Sequence, residues 1–589
     1  MVQLEKNKMD IKEKTKELIV EALKNLGIEE TDFVVEHPEN FENGDYSTNA
    51  ALVCAKKAGM NPKELAEKIV MQLRSGLKGA QRSDLFEIQI AGPGFINFYL
   101  SREFFADGVK KILEQKENFG KNKILAGQKV MVEYTQPNPF KPFHIGHLMS
   151  NAIGESISRI FEFSGAKTIH ANYQGDVGPH VAKAIYGLLR FGLPDEKKSV
   201  SEKAHYIGEL YVKGNNSYEN NEEAKREIDA INKKIYDRSD EKINKIYDWG
   251  RKITLEAFEE IYKTLGTKFD RYYFESQVAP VGEKIVRKNI GKFFEESDGA
   301  VVFRGEKYDS KLHTRVFINS QGLPTYETKE LGLTLTKFKR GLFEKKLDLS
   351  VVTTAVEQAE YMKVAQKAIS LVRPDLKDRI KHITHGMLRF ASGKMSSRKG
   401  NIITGESLLE DSMNVVLEKI KDREFTDAEK KKISEIVGVS ALKYSILKSS
   451  IGSDIIYDFE KSISFEGDSG PYLQYTAVRA NSILNKAKVF FKDSPLGPLK
   501  DCPLQTTNLE KLLYQFPEVV ERSYREFAPH YIATYLTELA SAFNSFYANT
   551  KILDKENKNM EYQLNLVKAF SQIMQNGLYL LGIQIPEKM

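Results

Sequence analysis

Apolar residues return every three to four positions over residues 10–25, where Ile11, Leu18, Ile19, Ala22 and Leu23 fall on one side of a helical wheel. That spacing predicts an amphipathic helix. Residues 36–70 hold two more helical stretches between turn formers. The second opens at Asn61-Pro62, a capping side chain followed by a residue whose missing N–H is harmless in a first turn. Over 86–101 the period drops to two, and FEIQIAGPGFINFYLS predicts two short strands around a Gly-Pro-Gly turn. A small α+β module ending near Gly120 is expected.

A different pattern comes next. In QKVMVEYTQPN, Val130, Val132 and Tyr134 alternate with Met131 and Glu133, and both faces are mostly apolar. That suits a strand covered on both sides in a parallel sheet. Prolines over 137–142 end it, and Ile153, Ile157, Ile160 and Phe161 mark a helix running from about Ile145. GAKTIHANYQGD reads as the next strand. Strand, loop, helix and strand form a βαβ unit, with a right-handed crossover and a crevice at the carboxyl ends of its strands. From about Pro194 to Glu259 the chain is polar and helical, an expected insertion between halves of the sheet. Strands are expected again near 299–304, 314–318 and 349–354. After about Gly405 the pattern is helical to the end, without β alternation, and no fixed-period repeat is visible.

Composition narrows the class. Hydrophobic residues make up 41% and charged residues 29%, as in ordinary globular proteins, and no apolar run approaches a membrane span. The first twenty residues mix acids with lysines and hold no apolar stretch, so neither a signal nor a transit peptide is expected. Cys54 and Cys502 lie far apart and form no metal pattern. Neither a disulfide framework nor a zinc site is expected, and a reducing cytoplasm fits. The net charge of +6 is uneven: residues 1–120 hold 17 Lys and Arg against 20 Asp and Glu, so the excess of cations lies in the remainder. That permits a nucleic-acid partner without requiring one.

Two motifs point to chemistry. His144-Ile145-Gly146-His147 stands at the start of the expected helix. A helix cap and a metal pair compete as explanations, but no third ligand is near and the H-E-x-x-H spacing is absent. A phosphate site fits better. A helix N-terminus offers unpaired N–H groups and partial positive charge, and Gly146 lets a base or ribose approach the backbone. Two imidazole donors could then follow a phosphoryl group's moving charge, each worth about 3 kcal/mol, or ~100-fold in rate. The second motif, GKMSSRKG over 393–400, sets Lys394, Arg398 and Lys399 around two hydroxyls between glycines. A solvated basic loop is one reading; a loop that closes over a triphosphate is the other.

H-I-G-H followed much later by K-M-S-S resembles the paired signature of class I aminoacyl-tRNA synthetases. The flanks narrow the match. VEYTQPNPFKPFHIGHLMSNAIGESISRIFEFSGAKTIHANYQGDVG, GDYSTNAALVCAKKAGMNPKELAEKI, AGPGFINFYL, GPYLQYTAVRANSIL, YLTELASAFNSFY and LLGIQIPEKM resemble the arginyl-tRNA synthetase family, so the likeness covers essentially the whole chain. Other class I synthetases, and smaller nucleotidyl transferases without a helical C-terminal domain, share the two short motifs but not these flanks.

The resemblance implies a multidomain α/β protein. A small α+β N-terminal domain over 1–120 would read the tRNA corner. A Rossmann-like parallel-sheet catalytic domain over 121–410 would carry the helical insertion at about 194–260. A helical linker over 411–465 would lead to an all-α anticodon-binding bundle over 466–589. The implied reaction forms arginyl-adenylate from L-arginine and Mg-ATP, then transfers arginine to tRNA(Arg). Magnesium would arrive with ATP rather than on a dedicated protein site, and a monomer in the cytoplasm is expected. By the same resemblance, Lys141, His144, Gly146 and His147 contact ATP, with Lys394, Met395, Ser396, Ser397 and Lys399 on the loop that stabilises pyrophosphate.

Glu133, Asn138, Tyr326, Glu330 and Gln358 match the family's arginine contacts. Guanidinium is planar and permanently charged, so its selection needs a carboxylate in fork geometry. The family usually has Asp where this chain has Glu330; either the pocket is repacked or another acid serves. Val177, where an aromatic is common, leaves the packing there open. Phe95 and Asn97 are candidates for tRNA contact, with Phe95 equally able to be core. Tyr472, Gln474, Tyr475 and Arg479 are candidates for anticodon contact or for docking between domains.

Overall fold

The computed structural model describes residues 11–29, 32–78, 85–339, 346–391, 404–491, 505–554 and 556–589. The chain divides into two compact units: Met1–Phe119 with Ala480–Phe516 and Ser541–Ile573, and Gly120–Arg479 with Pro517–Ala540 and Met574–Met589. Among the described residues, no helix is long and apolar enough to cross a membrane.

In the first unit, helices Ile11–Asn25, Ala50–Ala58 and Pro62–Lys78 accompany a four-stranded antiparallel sheet. The third helix starts as the sequence predicts: Asn61 Oδ1 accepts the Lys63 N–H at 2.9 Å. The expected strands are Leu85–Ala91 and Phe95–Leu100, and Val35–Glu36 and Tyr46–Thr48 join them. Those two are too short to show a period. Ile19, Leu65, Ile69, Ile96 and Phe98 close the core. Within this unit the buried Glu510 carboxylate meets Arg102 at 2.7 Å, and Lys511 meets Asp45 at 2.9 Å.

The second unit is built on a five-stranded parallel sheet. Its strands are β1 (Lys129–Glu133), β2 (Lys167–Gln174), β3 (Arg271–Phe274), β4 (Leu349–Ala355) and β5 (Ile380–His385), in the order β5-β4-β1-β2-β3. Val130, Met131 and Val132 are fully buried, as a strand covered on both faces requires. Helix α1 (Ile145–Phe163) links β1 to β2, and the strand order reverses between β1 and β4. In open sheets of this kind, ligands bind at such a reversal. Three helices, Val200–Asn220, Glu222–Asp237 and Glu241–Leu265, form the insertion. Other helices of this unit include α2 (Glu275–Lys288), α3 (Tyr326–Lys337), α4 (Ala359–Val372), α5 (Gly405–Lys419) and α6 (Asp427–Leu447).

Two expectations need correction. Ala300–Arg304 and Thr314–Ile318 are strands, but they pair antiparallel with each other, and Glu295–Ser297 adds a third strand in a separate sheet. The link between them is too short for a parallel crossover. The sheet's fourth and fifth members are instead β3 and β5, whose sequences RYYF and IKHITH place charged residues and histidines where apolar ones were sought. The chain beyond Gly405 is also not wholly helical: Ile455–Tyr457 pairs parallel with Leu388–Phe390. Three residues are too few for alternation to be read.

The helix α1 lies unusually close to the sheet. A Cβ at Gly154 would fall 2.2 Å from the Tyr134 Cβ, so only glycine fits there. Polar contacts tie the end of the chain to the same region. Ser156 donates to the Leu580 carbonyl at 2.8 Å, and the buried Lys443 ammonium donates to the carbonyls of Leu265 (2.6 Å) and Gly582 (2.8 Å). Burial pushes Lys443 down to about 7. Met589 packs beside Val416, Ile420 and Ile433.

Candidate active site

Chemically useful residues gather at the carboxyl ends of the five strands. Glu133 ends β1; Gly175 and Asp176 follow β2; Glu275 follows β3; Gln358 follows β4; His385 ends β5. The loop from Tyr134 to Phe143 crosses this edge under strain, because Thr135, Gln136 and Phe140 take φ of 75°, 53° and 67°. Such residues cost about 1–3 kcal/mol each and persist only where their surroundings hold them. Here Ser150 Oγ accepts the Thr135 N–H at 3.1 Å, and Asn151 donates to the Thr135 hydroxyl at 2.9 Å. Gln136 Nε2 donates to Glu133 Oε1 at 2.6 Å.

That loop delivers the histidines to the mouth of α1. His144 is the N-cap and His147 the third helical residue, with their rings stacked at 3.4 Å between centroids. His147 Nδ1 accepts the His144 backbone N–H at 3.1 Å. An accepting Nδ1 leaves the neutral ring its proton on Nε2, so the tautomer is fixed. Burial, then the charges of His144 and Lys141, hold His147 well below the usual histidine range. His144 reaches solvent, yet burial and the nearby Lys141 and His385 push it down to about 4. The helix mouth therefore presents neutral imidazoles. A Cβ at Gly146 would sit 3.1 Å from the His144 ring, so glycine gives that ring its place. Lys141 is half-buried, 5.1 Å above the Tyr211 ring, and burial lowers its pKa against the pull of Glu275.

Lys394, Met395, Ser396, Ser397 and Lys399 lie outside the described residues. The chain after them is anchored at the helix mouth: Thr404 forms an antiparallel bridge with His144, and Gly405 N–H donates to the Phe143 carbonyl at 2.8 Å. Thr404 then caps α5, accepting the Ser407 N–H at 3.0 Å.

Acids and cations alternate elsewhere along the same sheet edge and on α3. Glu133 is fully buried, and its Oε2 lies 2.5 Å from the Lys337 ammonium, itself 1% exposed. Gln136 donates to Oε1, whereas Oε2, although close to Lys337, is buried without a well-directed hydrogen bond. Glu330, two turns before Lys337 on α3, is also buried and accepts from Thr334 at 3.3 Å. Burial pushes Glu330 up to about 7, with Lys337 pulling it down and Glu133 pushing it further up. Tyr326, the first residue of α3, is largely exposed, its ring 5.2 Å from the Lys329 ammonium. Gln358 is exposed at the start of α4. Asn138 Oδ1 rests against Gly175, where a Cβ would meet it at 2.4 Å.

Two acids escaped the sequence reading. Glu275 is buried and bonded to Lys329 at 2.6 Å. Burial pushes the Lys329 ammonium down, but Glu275 and then Tyr236 hold it above its ordinary value. Asp176 is fully buried and accepts from the Ser276 N–H (2.8 Å), the Ser276 hydroxyl (2.7 Å) and Arg251 (2.9 Å). An acid directly after a strand was the available signal for Glu275, but β3 itself was not expected. Val177 is buried in an apolar cluster with Phe140 and Val181, so a smaller side chain packs there.

Of the residues proposed for nucleic acid, Phe95 is 40% exposed and is not core. Asn97 is buried, and its Oδ1 accepts the Ser47 hydroxyl at 2.8 Å. Gln474 is buried and donates to the Gln584 carbonyl. Tyr472 and Tyr475 are partly exposed, and Arg479 lies 4.8 Å over the Tyr475 ring.

Three family models match the chain. They are the class I (R) tRNA synthetase catalytic domain over residues 108–459, the DALR anticodon binding domain over 473–589, and the arginyl tRNA synthetase N terminal domain over 13–100. The arginine–tRNA ligase of Halothermothrix orenii is 31% identical over 99% of this chain and 100% of its own length. That of Lactobacillus johnsonii is 32% identical, over 99% of this chain and 100% of its own. Among solved structures, Thermus thermophilus arginyl-tRNA synthetase superposes with a TM-score of 0.78 at 23% identity, covering 98% of this chain and 100% of that one. The Plasmodium falciparum arginyl-tRNA synthetase also gives 0.78, at 21% identity, over 98% and 99%.

Proposed function

The chain belongs to the arginyl-tRNA synthetase family and joins arginine to tRNA with a class I catalytic domain, and from that premise we propose how its residues divide the work. The helix mouth receives ATP. Its unpaired N–H groups and the neutral imidazoles of His144 and His147 donate to phosphate oxygens, with magnesium carried in on the nucleotide. A neutral Nε2–H suits this task, since it donates to the developing charge with no proton to lose first. Lys394 and Lys399 take the leaving pyrophosphate.

Arginine lies across the strand ends. Its guanidinium enters the acid-lined slot under α3, and Asn138, Tyr326 and Gln358 sit at the amino-acid end. Its carboxylate then attacks the α-phosphorus of ATP, breaking the bond to pyrophosphate and giving arginyl-adenylate. The terminal adenosine of tRNA(Arg) takes the arginyl group and AMP departs. No covalent protein intermediate is required, because positioning and charge stabilisation suffice. Phe95 meets the tRNA corner, and Tyr472 and Tyr475 meet its anticodon arm. A cytoplasmic monomer completes the reading.

One observation supports this division most directly: a stacked histidine pair at a helix mouth and the buried acid Glu133 both follow from the same strand, β1, at the carboxyl edge of one parallel sheet. Aminoacylation of total tRNA with each labelled amino acid in turn tests it. Charging with arginine alone is expected, and charging with any other amino acid instead would overturn it.

A further inference from the structure

Two helix ends meet on α1, about three turns beyond the histidines. The last insertion helix, Glu241–Leu265, stops at Gly266, and the last helix of the chain, Met560–Leu580, stops before Gly582. Both glycines take φ of 66°, and both ends fold back alike: Thr267 N–H reaches the Tyr262 carbonyl and Ile583 N–H the Leu578 carbonyl, each at 2.9 Å. Such closure still leaves carbonyls at the negative end of each helix dipole. Side chains of α1 and α6 take them up. Lys443 donates to Leu265 and Gly582, Arg159 to Tyr579 (2.9 Å) and Gly266 (3.3 Å), and Ser156 to Leu580. Lys443 and Ser156 are buried. A carboxylate balances these cations. Glu155 accepts the Arg159 Nε–H at 2.8 Å, and burial pushes its carboxyl up while Arg159 and then Lys443 bring it below its ordinary value. Its other oxygen accepts the Tyr134 hydroxyl at 2.6 Å. Tyr134 opens the strained loop that delivers His144.

We propose that Lys443 is a positioning residue for the reaction: with Arg159 and Ser156 it seats both helix ends on α1, and this seat fixes where α1 holds His144 and His147. This rests on the helix mouth receiving ATP, as in the proposed function. Lys443 acts through α1 and not on the reactants. Two routes carry its effect to the mouth. One is α1 itself, a single helix from Ile145 to Phe163. The other passes through Glu155 to Tyr134 and the loop after it. Neither route has slack, because α1 meets Tyr134 so closely that only glycine fits at position 154. Without the ammonium, the carbonyls of Leu265 and Gly582 lose a buried donor, and Glu155 faces one cation fewer. Carbonyls left so must find other donors, and the helix ends that carry them shift on α1. A shift near 1 Å at the phosphate-binding groups costs up to ~100-fold in rate.

The test is a double-mutant cycle on the full chain, read as kcat for charging total tRNA with arginine at a temperature where circular dichroism shows each variant folded. Lys443→Met should lower kcat about tenfold, with the KM for arginine and for tRNA within about twofold of the parent. Ser156→Ala, which removes only the hydroxyl on Leu580, should lower kcat a few-fold in the same way. His147→Asn should lower it ~100-fold by itself. Adding Lys443→Met to His147→Asn should then cost under ~3-fold more, because a donor already removed cannot be misplaced. A tenfold loss in both backgrounds, or a lower melting temperature with kcat unchanged in folded Lys443→Met, would overturn the proposal. Where Lys443→Met does not fold, Ser156→Ala on the same two backgrounds decides by the same criterion. Charging by His147→Asn as fast as by the parent would instead overturn the functional reading on which the proposal stands.

Discussion

His144 and Thr404 pair across an antiparallel backbone bridge, so the chain leaving the basic GKMSSRKG segment is fastened to the mouth of the helix that bears the histidines. Gly405, next in line, donates to Phe143, and a Cβ there would fall 2.7 Å from the Phe143 ring and 3.2 Å from the His144 carbonyl oxygen. The anchor therefore depends on a glycine. Gly405→Ala should displace the anchor, lowering kcat/KM for ATP in pyrophosphate exchange by roughly 10–100-fold through misplacement of the phosphate-binding groups. A thermal melt close to the parent's would show that the fold survives. Unchanged exchange kinetics would show that the bridge does not matter to the reaction.

Buried neutral histidines give acid sensitivity. Burial pushes His180 down to about 3 and His382 down to about 4, against an ordinary value near 6.5. The unfolded chain then binds more protons than the folded one between about pH 6.5 and 4. Their contribution to stability is fully present above pH 6.5 and is lost as pH falls through that window. The melting temperature should therefore fall from pH 6.5 toward pH 4, with a shallower slope in His382→Asn. An unchanged slope in that variant would remove His382 from the account.

The Lys329–Glu275 pair is buried on both sides, with ammonium and carboxylate 2.6 Å apart. Lys329→Met strands a buried carboxylate and should destabilise the chain by about 3–5 kcal/mol. Adding Glu275→Gln should recover most of that loss, since the uncompensated charge goes with it. Denaturant melts of both variants measure the difference; equal losses would mean that the pair acts by packing alone.

Gly154 faces Tyr134 at a distance that leaves no room for a methyl group. Gly154→Ala must push α1 off the sheet, at a cost of about 1–3 kcal/mol or more. Because α1 begins at the histidines, the same change should lower exchange activity as well as the melting temperature. Loss of stability with activity retained would mean that the helix mouth does not move.

Phe95 is exposed on the N-terminal sheet and packs little of the core. Phe95→Ala should leave the melting temperature within about 1 °C of the parent, as a surface change does. It should raise the KM for tRNA by about tenfold, the size of one lost stacking contact. An unaltered KM would remove the ring from the tRNA surface.

Much of this protein could be read along the chain because much of it is local. The helix cap at Asn61, the strand at Val130–Val132 and the helix from Ile145 follow from neighbours a few residues away, where period and side-chain chemistry act directly. The order of His144, His147 and the distant basic segment is also a linear fact, and with its flanks it named the family. The short strands Arg271–Phe274 and Ile380–His385 lay beyond such reading. Their hydrogen bonds are made by partners far away in the chain, and a sheet accepts sequences that show no period of their own.

The candidate slot divides in the same way. Glu133 and Glu330 stood out as acids, but their identities alone do not say which of them meets a cation. That choice came with folding, which brought Lys337 to Glu133, set Gln136 on the other oxygen and left Glu330 without a cation among the described residues. Charge state depends on burial and neighbours, both of which are properties of three-dimensional packing, whereas cap, period and motif are written into consecutive residues.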